Sequence, residues 1–354
     1  MEKITIDPAN IDNVLIEKAA GVILDGGVVA FPTETVYGLA VIAGRSDLLE
    51  KLALLKKRPQ DKLFSLALDT PTQVLNNYFD IMPPFGYRLA EKFWPGPLTV
   101  IYYTFNSTKI GVRIPSHPIA KRILKFTPAG VYLSSANING QKEAVSAAEV
   151  ESFFPQGIDL LVDSGTIPEA KPSTVVDVTQ RPFKILRQGA VSEQDIARVF
   201  VKKRILFVCT GNSCRSPMAQ LLLEKYLRRQ KPYFDNRYEI VSAGISALPG
   251  AKISSYVARI LEEKENLISR DFSARRLDKF MVLSSDFIFT MEDAQKNYIL
   301  RFIPQAEGRV FNLKQFIVPE PQGDITDPIG RNTDVHQAVY SLIKEAVLEL
   351  KDWL

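Results

Sequence analysis

The stretch from Ile205 to Pro217 reads Ile-Leu-Phe-Val-Cys-Thr-Gly-Asn-Ser-Cys-Arg-Ser-Pro. Its first four residues are apolar and prone to β-structure, which is typical of a strand buried on both faces in a parallel sheet. A glycine-containing loop follows. Ser216 and Pro217 then predict a helix start, because serine caps free amides and proline suits the first helical position. The helix is predicted to continue from Met218 to Arg229. A strand, loop and helix in this order aim backbone N–H groups at one point, which predicts an anion site.

The residues at the two ends of this loop, Cys209 and Arg215, have chemistry that suits phosphoryl transfer. A thiol pKa of about 8.5 falls beside a cation or a helix N-terminus, and a guanidinium can hold two phosphoryl oxygens at once. The leaving group also needs a proton, and Asp327, followed by Pro328, is a candidate acid. From the residues alone, a buried structural cysteine and an ordinary Asp-Pro turn remain the alternative.

The Cys-x5-Arg-Ser pattern from Cys209 to Ser216 resembles the phosphate loop of the low-molecular-weight protein tyrosine phosphatases. The segment 242–244 (Ser-Ala-Gly) and the downstream Asp-Pro resemble later motifs of that family. The resemblance implies that Cys209 is a nucleophile forming a phosphocysteine, that Arg215 binds phosphate and stabilises the transition state, and that Asp327 is the general acid. It also implies phosphate contacts from the loop residues Gly211, Asn212, Ser213, Cys214 and Ser216. Within the loop, it implies that Asn212 shapes the backbone and that Ser216 hydrogen-bonds the thiolate.

Three kinds of relative share this loop. Tyrosine phosphatases usually have a bulky apolar residue at the place of Ser213 and tyrosines after the Asp-Pro, where this chain has Ile329 and Gly330. Protein arginine phosphatases resemble the chain better, so phosphoarginine is the preferred substrate and phosphotyrosine the alternative. Arsenate reductases need further cysteines to relay a disulfide, and this chain has only Cys209 and Cys214, which makes that function less favoured. The same two thiols are also candidates for a redox switch.

Composition limits the classes of protein that the chain can represent. With 354 residues and 46% hydrophobic content, a soluble protein of two domains is expected. No apolar run has the length of a membrane span and the first ten residues do not resemble a signal peptide, so a cytoplasmic protein with no membrane contact is expected. Residues 51–142 hold 13 Lys or Arg against 4 Asp or Glu, which suits phosphates or nucleic acid.

The first half of the chain contains a second set of motifs. Helical spacing from Asp12 to Leu24 precedes a strand at Val28 to Phe31, and a second helix runs from Asp47 to Lys57. These elements frame two motifs at 31–40 and 56–59, and five more motifs follow. Together they resemble the YrdC-type threonylcarbamoyl-adenylate synthases over residues 1–195. The five later motifs are Trp94 to Thr99, Gly111 to Pro118, Ser134 to Asn137, Ser173 to Asp177 and Leu186 to Ala190.

The resemblance implies an α/β fold with a twisted open sheet around a positively lined cavity. It implies that L-threonine, bicarbonate and ATP condense to threonylcarbamoyl-AMP and pyrophosphate, for the N6-threonylcarbamoyladenosine modification of tRNA. Mg²⁺ is expected to accompany the triphosphate. The partners implied are the tRNA threonylcarbamoyl-transferase proteins, with tRNA itself a further candidate. The alternative function is that of an RNA-binding module without synthase activity.

The residue types at these motifs suit the implied reaction. Cations can neutralise the triphosphate, and hydroxyls can select the threonine side chain through buried hydrogen bonds. The ATP-binding candidates are Lys56, Arg58, Ser135, Asn137, Ser173 and Arg187; the threonine-binding candidates are Thr33, Thr35, Tyr37 and Arg113. Lys56 can alternatively be a charge at a helix C-terminus. The chain departs from the family after Pro59, where Lys62 and Ala67 occupy the region in which other members carry Asn-Pro-Leu and a histidine.

The two halves are predicted to be domains of residues 1–200 and 201–354. A short helix at Ser192 to Phe200 leads directly into the strand of the phosphate loop, without a Pro/Gly/Ser-rich linker. Strands and helices alternate beyond it, which predicts a doubly wound parallel sheet with the site at the strand carboxyl ends. His336, in the last predicted helix, is expected on the surface. The later elements are strands near 238–241 and 287–290 and helices near 254–264 and 334–354.

Overall fold

The computed structural model describes residues 1–59, 63–77, 82–168, 171–317, 319 and 323–354. The chain forms two compact units, Met1–Ile196 and Ala197–Leu354. Each unit has its own sheet and its own buried core. Within the described ranges, no helix is both long enough and apolar enough to cross a membrane. Lys62 lies outside the described residues.

The first unit is built on a mixed sheet with helices on both faces. Its strands are β1 (Glu2–Thr5), β2 (Val29–Pro32), β3 (Tyr37–Ile42), β4 (Ser65–Ala67), β5 (Leu98–Tyr103), β6 (Lys109–Arg113), β7 (Val131–Ser135), β8 (Leu160–Asp163), β9 (Thr174–Asp177) and β10 (Lys184–Arg187). Its helices are α1 (Asn13–Leu24), α2 (Ser46–Leu55), α3 (Pro71–Asn77), α4 (Pro84–Phe93), α5 (Pro118–Lys125) and α6 (Ala147–Phe153). Helix α7 (Glu193–Val201) spans the border with the second unit.

The strands lie in the order β1-β8-β2-β3-β7-β4-β6-β5-β9-β10. Some neighbouring strands are parallel and others are antiparallel. Strand β2 shows why the sequence there is continuously apolar. Val29 and Phe31 pack in one core with α1 and α5, whereas Val28 and Ala30 pack in another core with α2 and α6. Because alternate residues of a strand face opposite sides, a sheet covered on both sides needs apolar residues at every position.

The second unit has a parallel sheet in the order β12-β11-β13-β14. Its strands are β11 (Lys203–Cys209), β12 (Tyr238–Gly244), β13 (Phe287–Thr290) and β14 (Val310–Asn312). Its helices are α8 (Arg215–Gln230), α9 (Phe234–Arg237), α10 (Ser255–Glu265), α11 (Lys279–Ser284), α12 (Asp293–Phe302) and α13 (Thr333–Trp353). The predicted parallel α/β sheet is confirmed, and the carboxyl end of its inner strand β11 carries Cys209 into the predicted loop.

The predicted start of α8 is wrong by two residues. The helix begins at Arg215, and the side chain of Ser216 does not cap it. The hydroxyl of Ser216 instead contacts the sulfur of Cys209 and accepts a hydrogen bond from Asn212. Pro217 therefore lies within the first turn, where its missing N–H is still tolerated.

The predicted surface position of His336 is also wrong. His336 is only 2% exposed, and its ring stacks on Tyr256 with a centroid distance of 4.7 Å. It lies on the same face of α13 as the buried residues Val339, Tyr340 and Ile343. This spacing of three, four and seven residues is the signal that places His336 on the buried side of the helix.

A buried carboxylate joins three helices of the second unit. Glu265, the last residue of α10, accepts hydrogen bonds from Lys225 and Tyr226 of α8 and from Tyr340 of α13, and it is paired with Lys344 at 2.7 Å. Burial alone would raise the pKa of Glu265, but these partners together lower it to about 2. Glu265 therefore stays ionised and holds the helices around it at ordinary pH.

Candidate active sites

The loop after β11 surrounds the sulfur of Cys209. Cys209 is buried, and its Sγ lies 3.0 Å from Oγ of Ser216 and accepts the backbone N–H of Asn212 at 3.2 Å. A hydroxyl and a backbone N–H therefore both lie within hydrogen-bond distance of the sulfur. The positive N-terminus of α8 adjoins the same loop. The loop therefore joins a strand end to a helix N-terminus, the arrangement from which the sequence predicts an anion site.

The side chain of Asn212 holds the loop in this shape. Asn212 has a left-handed φ of 50°, and its Nδ2 donates to Ser216 Oγ and Ser242 Oγ, each at 2.9 Å. Its Oδ1 accepts the backbone N–H of Arg275 at 2.8 Å. Gly244, at the end of β12, is needed for the close approach, since a Cβ there would lie 2.6 Å from the carbonyl oxygen of Thr210. The Ser-Ala-Gly motif therefore supports the loop from the neighbouring strand.

The guanidinium of Arg215 is enclosed by acidic and carbonyl groups. Arg215 is 1% exposed; its Nη1 donates to Glu292 Oε1 and, at 2.9 Å, to the carbonyl oxygen of Ile325. Its Nη2 donates to Oδ2 of Asp327, the predicted general acid. The structure therefore brings the predicted nucleophile loop, phosphate-binding arginine and acid together, although residues 215 and 327 are 112 positions apart.

Two side chains narrow the mouth of this loop. A Cβ at Gly211 would lie 3.5 Å from Ser213 Oγ and 3.8 Å from Ile329 Cδ1, so these two groups approach the same point. The thiol of Cys214 is buried and lies 3.8 Å from Ser213 Oγ. Burial raises the pKa of Cys214, so this thiol is held in its neutral form. Cys209 and Cys214 thus differ in environment although they lie in one loop.

The first unit has a cavity of about 550 Å³ that collects most of the predicted synthase residues. This volume is ordinary for a site that binds a small molecule. Its cationic lining comes from Arg58, Arg113 and Arg187. Ala67, at the end of β4, lines the same cavity. The other predicted residues in the lining are Thr33, Thr35, Tyr37, Ser135 and Ser173.

Lys56 and Asn137 are absent from the described lining of that cavity, and Lys56 has another role in the structure. Its ammonium donates to the carbonyl oxygens of Ser135 and Asn137, the latter at 2.7 Å, and lies 3.3 Å from Asn137 Oδ1. An ammonium has three hydrogens, so these oxygens use its whole donor capacity. Burial lowers the pKa of Lys56 to about 7; Arg58 lowers it as well, whereas Glu143 acts in the opposite direction. Lys56 therefore fixes the turn that carries Ser135 and Asn137.

The predicted threonine-binding residues form a connected group at one side of the cavity. Thr33 and Thr35 share a hydrogen bond of 2.9 Å between their hydroxyls. Arg113 donates from Nη2 to Thr35 Oγ1 at 2.9 Å and to Glu34 Oε1 at 2.8 Å. In the described part of the chain, the buried Nε of Arg113 has no hydrogen-bond partner. Arg113 therefore keeps one donor that a carboxylate can accept.

Tyr37 lines the cavity, but its hydroxyl is used within the protein. The hydroxyl donates to the carbonyl oxygen of Gly165 at 2.7 Å and accepts the N–H of Ser164 at 3.1 Å. Burial raises the pKa of Tyr37, so the hydroxyl stays protonated. Tyr37 thus connects the start of β3 to the segment after β8.

Ser173 and Arg187 meet in the lining of the same cavity. Arg187 donates from Nε to the carbonyl oxygen of Ser173 at 3.0 Å and from Nη2 to its Oγ at 2.8 Å. The same hydroxyl lies 3.0 Å from that of Thr99. Arg58, half-buried, donates to the carbonyl oxygen of Leu63 at 2.7 Å. A nucleotide phosphate in this cavity would meet more than one charged donor.

The cavity offers little to a magnesium ion. The described lining contains hydroxyls and arginines but no carboxylate. Among the residues with described positions, no cluster of three or more His, Cys, Asp or Glu could hold a metal. Magnesium that arrives with ATP would therefore be held by phosphate oxygens and water, which is a common arrangement for this ion.

Comparisons with known proteins divide the chain into the same two parts as its fold does. The family model described as "Telomere recombination", for Sua5, YciO and YrdC proteins, matches residues 21–189. The model described as "Low molecular weight phosphotyrosine protein phosphatase" matches residues 204–354.

Two curated relatives are similar at the level of sequence. The threonylcarbamoyl-AMP synthase of Pyrococcus abyssi is 31% identical over 259 residues, which cover 70% of this chain and 74% of the relative. The protein-arginine-phosphatase of Geobacillus stearothermophilus is 36% identical over 151 residues, which cover 43% of this chain and 95% of the relative. The chain belongs to both families. Its first part is hereafter the synthase unit and its second part the phosphatase unit, and the prediction that both are enzymes is confirmed.

A solved structure supports the fold of the chain. The crystal structure of Pyrococcus abyssi Sua5 complexed with L-threonine superposes with a TM-score of 0.54 and 21% identity. The match covers 88% of this chain and 99% of that structure. At this identity the likeness concerns the fold alone.

Three residues with a place in these sites were missed by reasoning from sequence. Glu292 contacts Arg215, Glu34 contacts Arg113, and Glu143 lies close enough to Lys56 to affect its pKa. Glu292 follows the end of β13, next to β11 in the sheet, so the rule that sites form at strand carboxyl ends could have identified it. Glu34 lies within the motif at 31–40. No pattern in the sequence singles out Glu143.

Proposed function

We propose that the synthase unit condenses L-threonine, bicarbonate and ATP to threonylcarbamoyl-AMP and pyrophosphate. The observation that carries this proposal is the cavity of about 550 Å³ with arginines on its walls and a pair of threonine hydroxyls at one side. The synthase from Pyrococcus abyssi supports the reaction class.

The residues divide into two groups in this reaction. Arg58, Arg187 and Ser173 bind the nucleotide phosphates, while Arg113 takes the threonine carboxylate through its free Nε–H. The threonine amine attacks bicarbonate, and water leaves to give the carbamate N-carboxythreonine. A carbamate oxygen then attacks the α-phosphorus, and the bond from that phosphorus to pyrophosphate breaks. The arginines neutralise charge on the phosphoryl oxygens as pyrophosphate leaves. Lys56 acts at a distance, because it holds the turn with Ser135 and Asn137.

Release of pyrophosphate tests this reaction directly. Pyrophosphate is expected only when threonine, bicarbonate and ATP are all present, and threonylcarbamoyl-AMP should form in equal amount. A chain whose pyrophosphate release is unaffected by threonine would contradict the proposal. Phosphatase turnover of the same preparation serves as the control for folded protein.

We propose that the phosphatase unit hydrolyses phosphoarginine in proteins. The observation that carries this proposal is Ser213, a small residue that shares the loop mouth with Ile329, where an aromatic ester would gain from bulk and from tyrosines. The protein-arginine-phosphatase from Geobacillus stearothermophilus supports this choice.

The chemistry takes place in two steps. The Cys209 thiolate attacks phosphorus, the P–N bond breaks, and the Asp327 carboxyl gives its proton to the leaving guanidine nitrogen. Water then attacks the phosphocysteine, gives a proton to the Asp327 carboxylate, and releases phosphate and the thiolate. Arg215 and the loop N–H groups hold the phosphoryl oxygens in both steps. For this, Nη2 of Arg215 must exchange its contact with Asp327 for a phosphoryl oxygen.

Substitution and substrate competition test the phosphatase. Cys209→Ser should abolish hydrolysis and leave pyrophosphate release by the synthase unit unchanged. In the unaltered chain, kcat/KM should be higher for a phosphoarginine peptide than for a phosphotyrosine peptide of the same sequence. A higher value for phosphotyrosine would assign the unit to the tyrosine phosphatases instead.

A further inference from the structure

A second cavity, of about 470 Å³, lies beside the phosphate loop. Ser213 and Cys214 of the loop line it on one side, and Ile329, after the general acid, lines it on another. Tyr256 and His336 complete its aromatic wall. Ser213 and Ile329 also approach Gly211 of the phosphate loop, so this cavity adjoins the loop.

His336 is buried in the wall of this cavity with a defined tautomer. Its Nδ1 lies 2.9 Å from the carbonyl oxygen of Asn332, which can only accept a hydrogen bond. Nδ1 therefore carries a hydrogen, and in the neutral ring Nε2 has a lone pair. Among the described residues, Nε2 has no hydrogen-bond partner, and the ring lines the cavity. An acceptor in a cavity wall without a protein partner favours any ligand that offers an N–H.

We propose that Nε2 of His336 accepts an N–H of the guanidino group of phosphoarginine and so determines the specificity of the phosphatase unit. The proposal rests on the proposed phosphoarginine activity. The guanidino group carries N–H donors beside its phosphorylated nitrogen, whereas the ring of phosphotyrosine carries none. An aryl substrate therefore leaves Nε2 unpaired, and such unpaired polar groups are an effective means of discrimination.

The ring of Tyr256 supplies the second contact. Tyr256 is 44% exposed, and one face of its ring is covered by His336, with 28° between the ring planes. A planar guanidinium stacks well on the free face of such a ring. Arg331, also in the lining, is exposed, so solvent and salt screen its repulsion of a guanidinium.

Two substitutions of His336 separate its two nitrogens. The amide nitrogen of Asn can replace Nδ1, which faces Asn332, whereas the longer Gln can place an acceptor near Nε2. Both variants lose the stacked ring, so this loss affects them equally. For His336→Asn, kcat/KM should fall about tenfold more for a phosphoarginine peptide than for the matched phosphotyrosine peptide. His336→Gln should keep the ratio of the unaltered chain within about threefold.

Gln337→Ala is the matched control, because Gln337 is the exposed neighbour on the same helix. This substitution should leave kcat/KM unchanged for both substrates. Equal ratios for His336→Asn and His336→Gln would overturn the role of His336 and leave the phosphoarginine activity standing. A preference of the unaltered chain for phosphotyrosine would instead overturn the proposed function itself.

A measurement on the native histidine does not depend on how the variants fold. The chain has 2 histidines, so ¹⁵N-histidine labelling gives a simple spectrum, with His117 of the synthase unit as internal reference. In Cys209→Ser protein, a phosphoarginine peptide should shift the Nε2 resonance of His336 and leave His117 unchanged. An equal shift with a phosphotyrosine peptide, or no shift with either, would overturn the proposal.

Discussion

The two units present cations to phosphate in opposite ways. In the phosphatase unit, one arginine, Arg215, is almost completely buried and held by Glu292 and Asp327. In the synthase unit, three arginines surround an open cavity and range from buried Arg113 through half-buried Arg58 to exposed Arg187. A small phosphoryl group needs one exact position, whereas a triphosphate and an amino acid need charge spread over a longer path. The first site should therefore be sensitive to any change of its cation and the second more tolerant.

Arg215→Lys should produce the largest effect. Lysine keeps the charge but loses the planar fork, so kcat of the phosphatase should fall about a thousandfold. Initial rates with a phosphoarginine peptide measure it. Pyrophosphate release from the same preparation should be unchanged. A loss below tenfold would show that the phosphatase site also spreads its charge over several groups.

Lys56 should produce the next largest effect, although it lies behind the cavity. Lys56→Met leaves three oxygens without their donor, and synthase kcat/KM should fall about a hundredfold. The pKa of about 7 means that the ammonium form predominates below pH 7. Activity should therefore decline as pH rises through about 7, because the neutral amine offers one hydrogen fewer. Rates are compared with bicarbonate saturating at each pH.

Lys56→Arg is the control for this pH dependence, since a guanidinium stays charged throughout the range. Its profile should lack the decline near pH 7. A decline that persists unchanged in Lys56→Arg would mean that another group titrates there.

Arg187→Lys should produce a smaller effect and tests the tolerance of the distributed site. The variant loses the two-point contact with Ser173 but keeps a positive charge, so KM for ATP should rise about tenfold. Lys184→Arg, at an exposed position of the same strand, is the matched control and should leave KM unchanged. A loss as large as that of Arg215→Lys in the phosphatase would remove the contrast between the two sites.

Glu265→Gln should have the smallest effect on turnover, since Glu265 lies outside both sites. It should lower the free energy of unfolding of the phosphatase unit by about 3 kcal/mol, because Lys225 and Lys344 lose their carboxylate. The folded pKa of about 2 is below the ordinary value of 4.5, so this stabilisation is present above pH 4.5 and is lost as pH falls toward 2.

Denaturant unfolding at several pH values measures this contribution, with phosphatase activity as the probe of the folded unit. The difference between the unaltered chain and Glu265→Gln should shrink in acid. A difference that is constant down to pH 2 would assign the effect to packing.

Local sequence was a good guide to the phosphate loop and a poor guide to its surroundings. Cys209, Asn212 and Ser216 belong to one short segment, 209–216, so their contacts with one another are local in the sequence. The partner of Arg215 at Glu292 is 77 positions away, and Lys56 reaches Ser135 across 79 positions. Such contacts depend on the order of strands in a sheet, which residue patterns in one sequence do not specify.

The predicted helices and strands show the same difference between local and long-range signals. The strand predicted at 287–290 matches β13, and the last predicted helix differs from α13 by one residue at each end. The start of α8 was misplaced because Ser216 and Pro217 match a helix-capping pattern, while tertiary contacts use the serine hydroxyl for sulfur. The spacing of His336 from Ile343 indicates a buried position, whereas its polar residue type favours the surface.

The enclosure of Arg215 also has a consequence for charge balance. One guanidinium faces two carboxylates, so acidic groups outnumber the cation around Arg215. An oxyanion that joins them meets this excess of acidic groups, and removal of one carboxylate in Asp327→Asn should therefore tighten the binding of inorganic phosphate. The group proposed as the acid of the first chemical step would then also favour release of the phosphate formed in the second.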